Sequence, residues 1–162
     1  MGILDKVKTR SNICSVEIAF SGTSIPSAIE GWQPFYNSTF EDTDFEKIYS
    51  TLSTLDFAEE SVESAAGDSY KQKIVFRFPA TDQYRAERLV LLKKTKFVKL
   101  NLTSGLSIVV GRNDFFQNTA PKITIKTDHH LCEVSIESSS ITPSGYVPSA
   151  SFGLPSLIPV EL

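Results

Sequence analysis

The sequence predicts an α+β fold: a mainly antiparallel β-sheet with one packed helix, followed by an extended C-terminal arm. Several segments alternate apolar and polar residues with a period of two, which is typical of strands with one buried face. Short polar turns join neighbouring segments, and such turns can connect antiparallel strands but not parallel ones. One further segment has helical spacing. We therefore expect a single α+β domain over residues 1–140 and the arm over residues 141–162.

The length and charge of the chain narrow its possible functions. A chain of 162 residues fits one domain, and at that size it can bury about 70% of its unfolded surface. The formal net charge of −3 gives no general attraction to phosphate backbones or anionic lipid. No stretch approaches the roughly 20 apolar residues of a membrane-spanning helix. We therefore expect no membrane association and no specific nucleic-acid recognition.

The strands are predicted from alternation and from the turns between them. The longest alternating run is expected to form a hairpin with the run before it, because a polar turn containing Gly67 separates the two. A second hairpin is expected around Ser104 and Gly105, and a last strand pair follows it. The predicted strand segments are residues 14–20, 55–58, 70–78, 98–102, 106–110, 123–125 and 132–136.

The single helix is predicted over residues 81–94. Thr81 or Asp82 can cap it by accepting a hydrogen bond from a free backbone N–H group. The residues that follow are good helix formers, and the spacing of Leu89 and Leu92 is helical rather than alternating. We expect these two leucines to pack against the sheet.

Neither the cysteines nor the histidines predict a metal site. Cys14 and Cys132 lie far apart among alternating apolar residues, so we expect two buried free thiols that behave as small hydrophobes. His129 and His130 are neighbours, and neighbouring residues in a strand point to opposite faces. On that interpretation they cannot share one ion, and no metal or other cofactor is expected.

No catalytic site is predicted either. The chain has no nucleophile elbow of the form G-x-S-x-G and no glycine-rich loop for phosphate. Glu59, Glu60 and Glu63 are interpreted as a solvated hairpin face rather than as paired carboxylates for acid–base chemistry. The sequence therefore favours a protein that is not an enzyme.

Two apolar regions are candidates for contacts with other molecules. Trp32, Phe35 and Tyr36 lie in a segment that is too apolar for a linker, and they suit core packing, a subunit contact or a stacking platform for a sugar. The arm has four prolines and no charged residue before Glu161, yet it is rich in large apolar side chains. The predicted subunit contacts are Trp32, Phe35, Tyr36, Tyr146, Phe152, Leu154 and Ile158.

The arm can dock in two ways. Because proline disfavours regular strand, we expect it to fill a groove on a neighbouring copy rather than to extend a sheet. Docking on its own domain is the alternative, since terminal segments often dock in this way.

The order of elements between residues 70 and 138 resembles small virion or tail-morphogenesis proteins of phages and prophages of Bacteroidetes-type bacteria. The resemblance covers a little under half of the chain and contains no catalytic motif. It is carried by the strand at 70–78, the helix ending near Leu92, the strand at 96–102, the turn at Ser104 and Gly105, the strand at 106–111, and the strand at 131–137.

The resemblance implies a structural role in a tail, neck or baseplate. Identical copies would assemble into a ring or tube and contact neighbouring virion proteins, with assembly in the host cytoplasm. An alternative is a monomeric binding module for glycan or protein that uses the aromatic residues near Trp32. An enzyme with a non-obvious site is a third reading, and no residue pattern supports it.

Overall fold

The structure is a computed structural model that describes residues 11–26, 38–41, 44–111, 119–141, 143–144 and 146–148. These ranges contain one α-helix, α1 (Arg85–Leu92), and a short 3₁₀ turn at Leu52–Thr54. The strands are β1 (Ile13–Ala19), β2 (Thr23–Pro26), β3 (Ser38–Glu41), β4 (Glu46–Ile48), β5 (Asp56–Ser64), β6 (Gly67–Pro79), β7 (Phe97–Leu102), β8 (Leu106–Val110), β9 (Lys122–Thr127), β10 (Leu131–Ser140) and β11 (Tyr146–Pro148).

The strands form two main antiparallel sheets. One sheet has five strands in the order β11–β8–β7–β1–β4, and the other has four in the order β5–β6–β10–β9. Strands β2 and β3 form a separate two-stranded ladder. Every pairing among the described strands is antiparallel. The prediction of a mainly antiparallel fold with one helix is confirmed.

The two main sheets share one hydrophobic core. Inward-facing side chains of β1, β7 and β8 pack in the same cluster as those of β6, β9 and β10, so the sheets form a two-layer sandwich. Large side chains that are almost fully buried come from both layers. They include Val16, Val98, Leu100, Ile74, Phe76, Val134 and Ile136.

The helix is shorter than predicted and begins differently. It starts at Arg85, four residues later than the predicted start, and it has no side-chain cap. The carboxylate of Asp82 is paired with the guanidinium of Arg88 instead of capping the helix. Leu92 is buried and Leu89 is half-buried against the core cluster, which confirms that the helix packs through these leucines.

The first strand contains an irregularity that alternation did not reveal. Ile13 pairs with Leu102 and Ser15 with Asn101, so Cys14 is an extra residue in a β-bulge. The bulge shifts the alternation, and Cys14 is therefore exposed while Val16 and Ile18 are buried. The prediction of two buried thiols holds for Cys132 and is wrong for Cys14.

Part of the predicted arm forms a strand in its own sheet. Tyr146 pairs with Ile108, and Pro148 pairs with Leu106, so β11 extends the five-stranded sheet. The expectation that the prolines prevent sheet extension is wrong for these three residues, because proline is tolerated in an edge strand. Residues 149–162 lie outside the described residues, and so do Trp32, Phe35 and Tyr36. Among the described residues, no helix has the length and apolar character needed to cross a membrane.

Candidate functional site

A cleft of about 540 Å³ lies at one side of the sandwich, between strand β4 and helix α1. Its volume is within the range of roughly 300–1,000 Å³ that is typical of ligand sites. Side chains from β1, β4, the end of β6 and the helix form its walls. We call it the edge cleft, and its apolar walls are Ile18, Phe20, Ile48, Phe78, Leu91 and Leu92.

Chain connectivity places the cleft at this side of the molecule. The segment after β4 passes from the edge of the five-stranded sheet to the edge of the four-stranded sheet. On the way, the Thr51 N–H donates to the Arg77 carbonyl oxygen at 2.9 Å, and the Arg77 N–H donates to Thr54 Oγ1 at 3.1 Å. These bonds hold β4 beside the end of β6. Pro79 then ends β6, and the chain turns into the helix that closes the other wall.

The cleft has a buried floor and an exposed rim. Ile18, Phe78 and Leu92 belong to the hydrophobic core. At the rim, Leu91 is 41% exposed and Tyr49 is 74% exposed, which is high for large side chains of this type. The cleft therefore offers apolar surface that the described part of the chain leaves accessible to solvent.

A fixed cation lies at the rim of the cleft. Arg88 makes a bidentate pair with Asp82, with Nη1 to Oδ1 at 3.1 Å and Nη2 to Oδ2 at 2.6 Å. The Arg88 guanidinium also lies 5.8 Å from the centre of the Phe78 ring. An exposed ion pair of this kind adds about 0–1 kcal/mol to stability, so its main effect here is to fix charge at the rim. Glu46 and Lys47 add exposed charges from β4.

The described lining of the edge cleft combines apolar walls with a charged rim. Among the residues that the structure describes, the lining contains no histidine and no cysteine, and its hydroxyl groups are those of Tyr49 and Thr81. Apolar walls with a few charges at the rim are typical of surfaces that bind an apolar ligand or peptide segment.

A polar cluster that is separate from the edge cleft lies on the outer face of the five-stranded sheet. Asn101 donates from Nδ2 to Ser15 Oγ at 2.9 Å and accepts from Ser107 Oγ at 2.7 Å. On the next row, the Lys99 ammonium pairs with the Glu17 carboxylate and lies 4.7 Å from the Phe45 ring centre. The Lys99 side chain is only 4% exposed. These residues are cross-strand neighbours, so they fix the register of β1, β7 and β8.

The two histidines do not point to opposite faces as predicted. They lie in the turn between β9 and β10, and their ring centres are 3.6 Å apart. The alternation argument fails because it applies to strands, not to turns. The turn is held by Asp128 Oδ1, which accepts from the backbone N–H groups of Leu131 and His130 at 2.7 Å each. These bonds lower the pKa of Asp128 below its usual value.

Neither the histidines nor Cys132 forms a recognisable reactive centre. Within the described ranges, no three potential ligand side chains of His, Cys, Asp or Glu lie close enough to hold a metal ion. Burial raises the pKa of Cys132, and the nearby Arg85 and Arg88 only partly oppose that effect. A thiol with a raised pKa stays protonated and is a poor nucleophile.

The glutamates of the first hairpin do not converge on one point. Glu59 and Glu60 are consecutive in β5 and point to opposite faces of the sheet. Glu59 Oε2 accepts from Gln72 Nε2 at 2.9 Å and from the Ser144 N–H at 2.7 Å. Glu59 therefore ties the segment after β10 to the hairpin, a role that the sequence did not indicate.

The sequence and the structure identify different residues as candidates for contact. Of the seven predicted contact residues, only Tyr146 lies in a described range, in β11 at the opposite edge of the sheet from β4. The residues of the edge cleft were not predicted as a site. One signal was present, because Val90 and Leu91 put apolar side chains on the side of the helix away from the core. Comparison with known proteins gives no match, since no family model, no curated protein and no solved structure is similar to this chain.

Proposed function

We propose that this protein is a non-enzymatic structural subunit whose copies assemble into a ring or tube. In line with the resemblance of residues 70–138, its place is the tail, neck or baseplate of a phage virion, assembled in the host cytoplasm. The observation that carries the proposal is that β4 and β11 form opposite edges of one five-stranded sheet. Among the described strands, each of them pairs with a single neighbour.

Two unlike edges on opposite sides favour head-to-tail association. Sheet edges present backbone N–H and C=O groups that can pair with another chain. When the β4 edge of one copy meets the β11 edge of the next, each copy uses a different surface on each side. Contacts of this heterologous kind produce rings when the rotation closes and helical tubes when it does not.

The edges alone are too short to hold copies together. Each has three residues, Glu46–Ile48 and Tyr146–Pro148. A stable interface buries about 800 Å² per partner, which a three-residue strand contact does not reach. The remaining area has to come from other surfaces, and the apolar residues 149–162 follow β11 directly in the chain.

Sedimentation velocity and native mass spectrometry of the full chain test this proposal. We expect a defined assembly that grows with protein concentration and that electron microscopy resolves as rings or tubes of one diameter. A chain that stays monomeric at every concentration contradicts the proposal. If such a monomer bound a glycan, and Trp32→Ala removed the binding, the monomeric binding module would be the correct function.

A further inference from the structure

We propose that the edge cleft binds the apolar C-terminal segment, residues 149–162, of a neighbouring copy. The inference rests on the proposed assembly and adds to it the acceptor site, the donor segment and the direction of the contact. It follows from the chemistry of the cleft, the composition of the segment and the position of β11, which directly precedes the segment in the chain.

The chemistry of the two surfaces matches. The cleft has apolar walls, and its rim carries exposed Leu91 and Tyr49. The segment has no charged residue except Glu161. Its large apolar side chains are Phe152, Leu154, Leu157, Ile158, Val160 and Leu162.

Charge at the rim also fits the segment. Lys47 is exposed on β4, and Arg88 is fixed at the opposite wall. The acidic rim residues are Asp82, which pairs with Arg88, and Glu46 on β4, so the four rim charges sum to zero. Glu161 is the one charged residue of the segment. An apolar cleft whose rim has no net charge suits this segment, which has a single charged residue, better than a strongly charged one.

The geometry of the sheet favours a neighbouring copy over the same copy. Strands β11 and β4 are separated by four strand spacings, or about 19 Å. Within one copy, the segment would have to cross that width before it reached the cleft. When the β11 edge of one copy lies beside the β4 edge of the next, the segment starts about one strand spacing, roughly 5 Å, from the cleft strand. Fourteen extended residues span up to about 46 Å, so both routes are within reach, and the preference for a neighbouring copy rests on the shorter path.

Photo-crosslinking in the full chain identifies the partner of the segment. A benzophenone amino acid replaces Phe152, and these copies are mixed with a large excess of isotopically heavy copies of the unmodified chain, so that nearly every neighbour is heavy. We expect cross-links from position 152 to the cleft of the heavy copy, near Tyr49 or Leu91. Mass spectrometry then shows both the site and the copy to which each cross-linked peptide belongs.

The other outcomes contradict the inference in distinguishable ways. Cross-links to the cleft of the same copy would show that the segment docks within its own chain. Cross-links to another surface, or none at all, in a chain that still assembles would overturn the cleft as the acceptor and leave the assembly standing. A chain that is monomeric under these conditions would overturn both the inference and the proposed function.

A pair of adjacent substitutions gives an independent test. Leu91→Glu puts a charge at the rim of the cleft, whereas Val90→Glu puts the same charge on the same helix outside it. Both side chains are exposed, at 41% and 61%, so both variants should fold, which thermal melting checks. We expect Leu91→Glu to weaken association by about tenfold or more and Val90→Glu to leave it unchanged. Equal effects on association from two equally stable variants would overturn the inference.

Discussion

Gly111 lies so close to Lys96 that the Gly111 Cα has no room for a side chain. A Cβ at Gly111 would overlap the Lys96 carbonyl oxygen and lie 3.1 Å from the Phe97 Cα. Gly111 also has a φ of +116°, a conformation that side chains disfavour. Gly111 directly follows β8, and Lys96 directly precedes β7. This contact therefore lies at the end of the β7–β8 hairpin that is opposite its turn.

Gly111→Ala should therefore destabilise the fold strongly. We expect a loss of about 2–4 kcal/mol in the free energy of unfolding, from backbone strain together with overlap against a backbone that cannot move aside. Gly67→Ala is the matched control, because Gly67 has the same φ of +116° and nothing within 4 Å of an added Cβ. Gly67→Ala should lose only the unfolding free energy that comes from backbone strain, about 1 kcal/mol. If urea denaturation gave equal losses of unfolding free energy for the two variants, the contact with Lys96 would not contribute to stability.

Leu92→Ala should show that the helix is part of the core. Leu92 is buried with residues of both sheets, and its truncation leaves a cavity that costs about 2–5 kcal/mol. Leu91→Ala on the same helix removes a side chain that is 41% exposed and should cost less than about 1 kcal/mol. A loss under about 0.5 kcal/mol for Leu92→Ala would mean that the helix does not pack as described.

The two cysteines should differ sharply in reactivity. Cys14 is exposed in the bulge of β1, whereas Cys132 is buried and its pKa is raised. A thiol reagent at neutral pH should modify one thiol per native chain quickly and the second only after unfolding. Cys14→Ser should remove the fast reaction, and Cys132→Ser should leave it. Fast modification of the native Cys14→Ser variant would show that Cys132 is accessible.

The buried ion pair between Lys99 and Glu17 should be coupled more strongly than an exposed one. A double-mutant cycle with Lys99→Met and Glu17→Gln should give a coupling energy of about 1–3 kcal/mol, because the Lys99 side chain is 4% exposed. Lys73 and Glu137 are also directly paired across two antiparallel strands, but both are about half exposed. The same cycle there should give about 0–1 kcal/mol. Similar coupling energies for the two pairs would show that burial does not strengthen the interaction.

The sequence by itself determined most of the elements. Alternation located every strand of the two hairpins and of the last pair, because one face of each strand meets the core and the other does not. It also located the helix and its core leucine, Leu92. The predicted boundaries were less exact, because β5 continues to Ser64 whereas the predicted strand covered only residues 55–58. Strand residues that face water on both sides have no alternation to detect.

Only the tertiary structure decided which strands belong to which sheet and which apolar surface remains accessible to solvent. A period of two is the same in either sheet, so it could not separate the five-stranded layer from the four-stranded one. Nor could it locate the bulge at Cys14, which depends on pairing with the distant strand β7, or the turn that brings His129 and His130 together, which depends on the register of the consecutive strands β9 and β10. The edge cleft has the same origin. Ile18, Ile48, Phe78 and Leu91 are far apart in the chain, and they meet only because the two layers and the helix pack around one core.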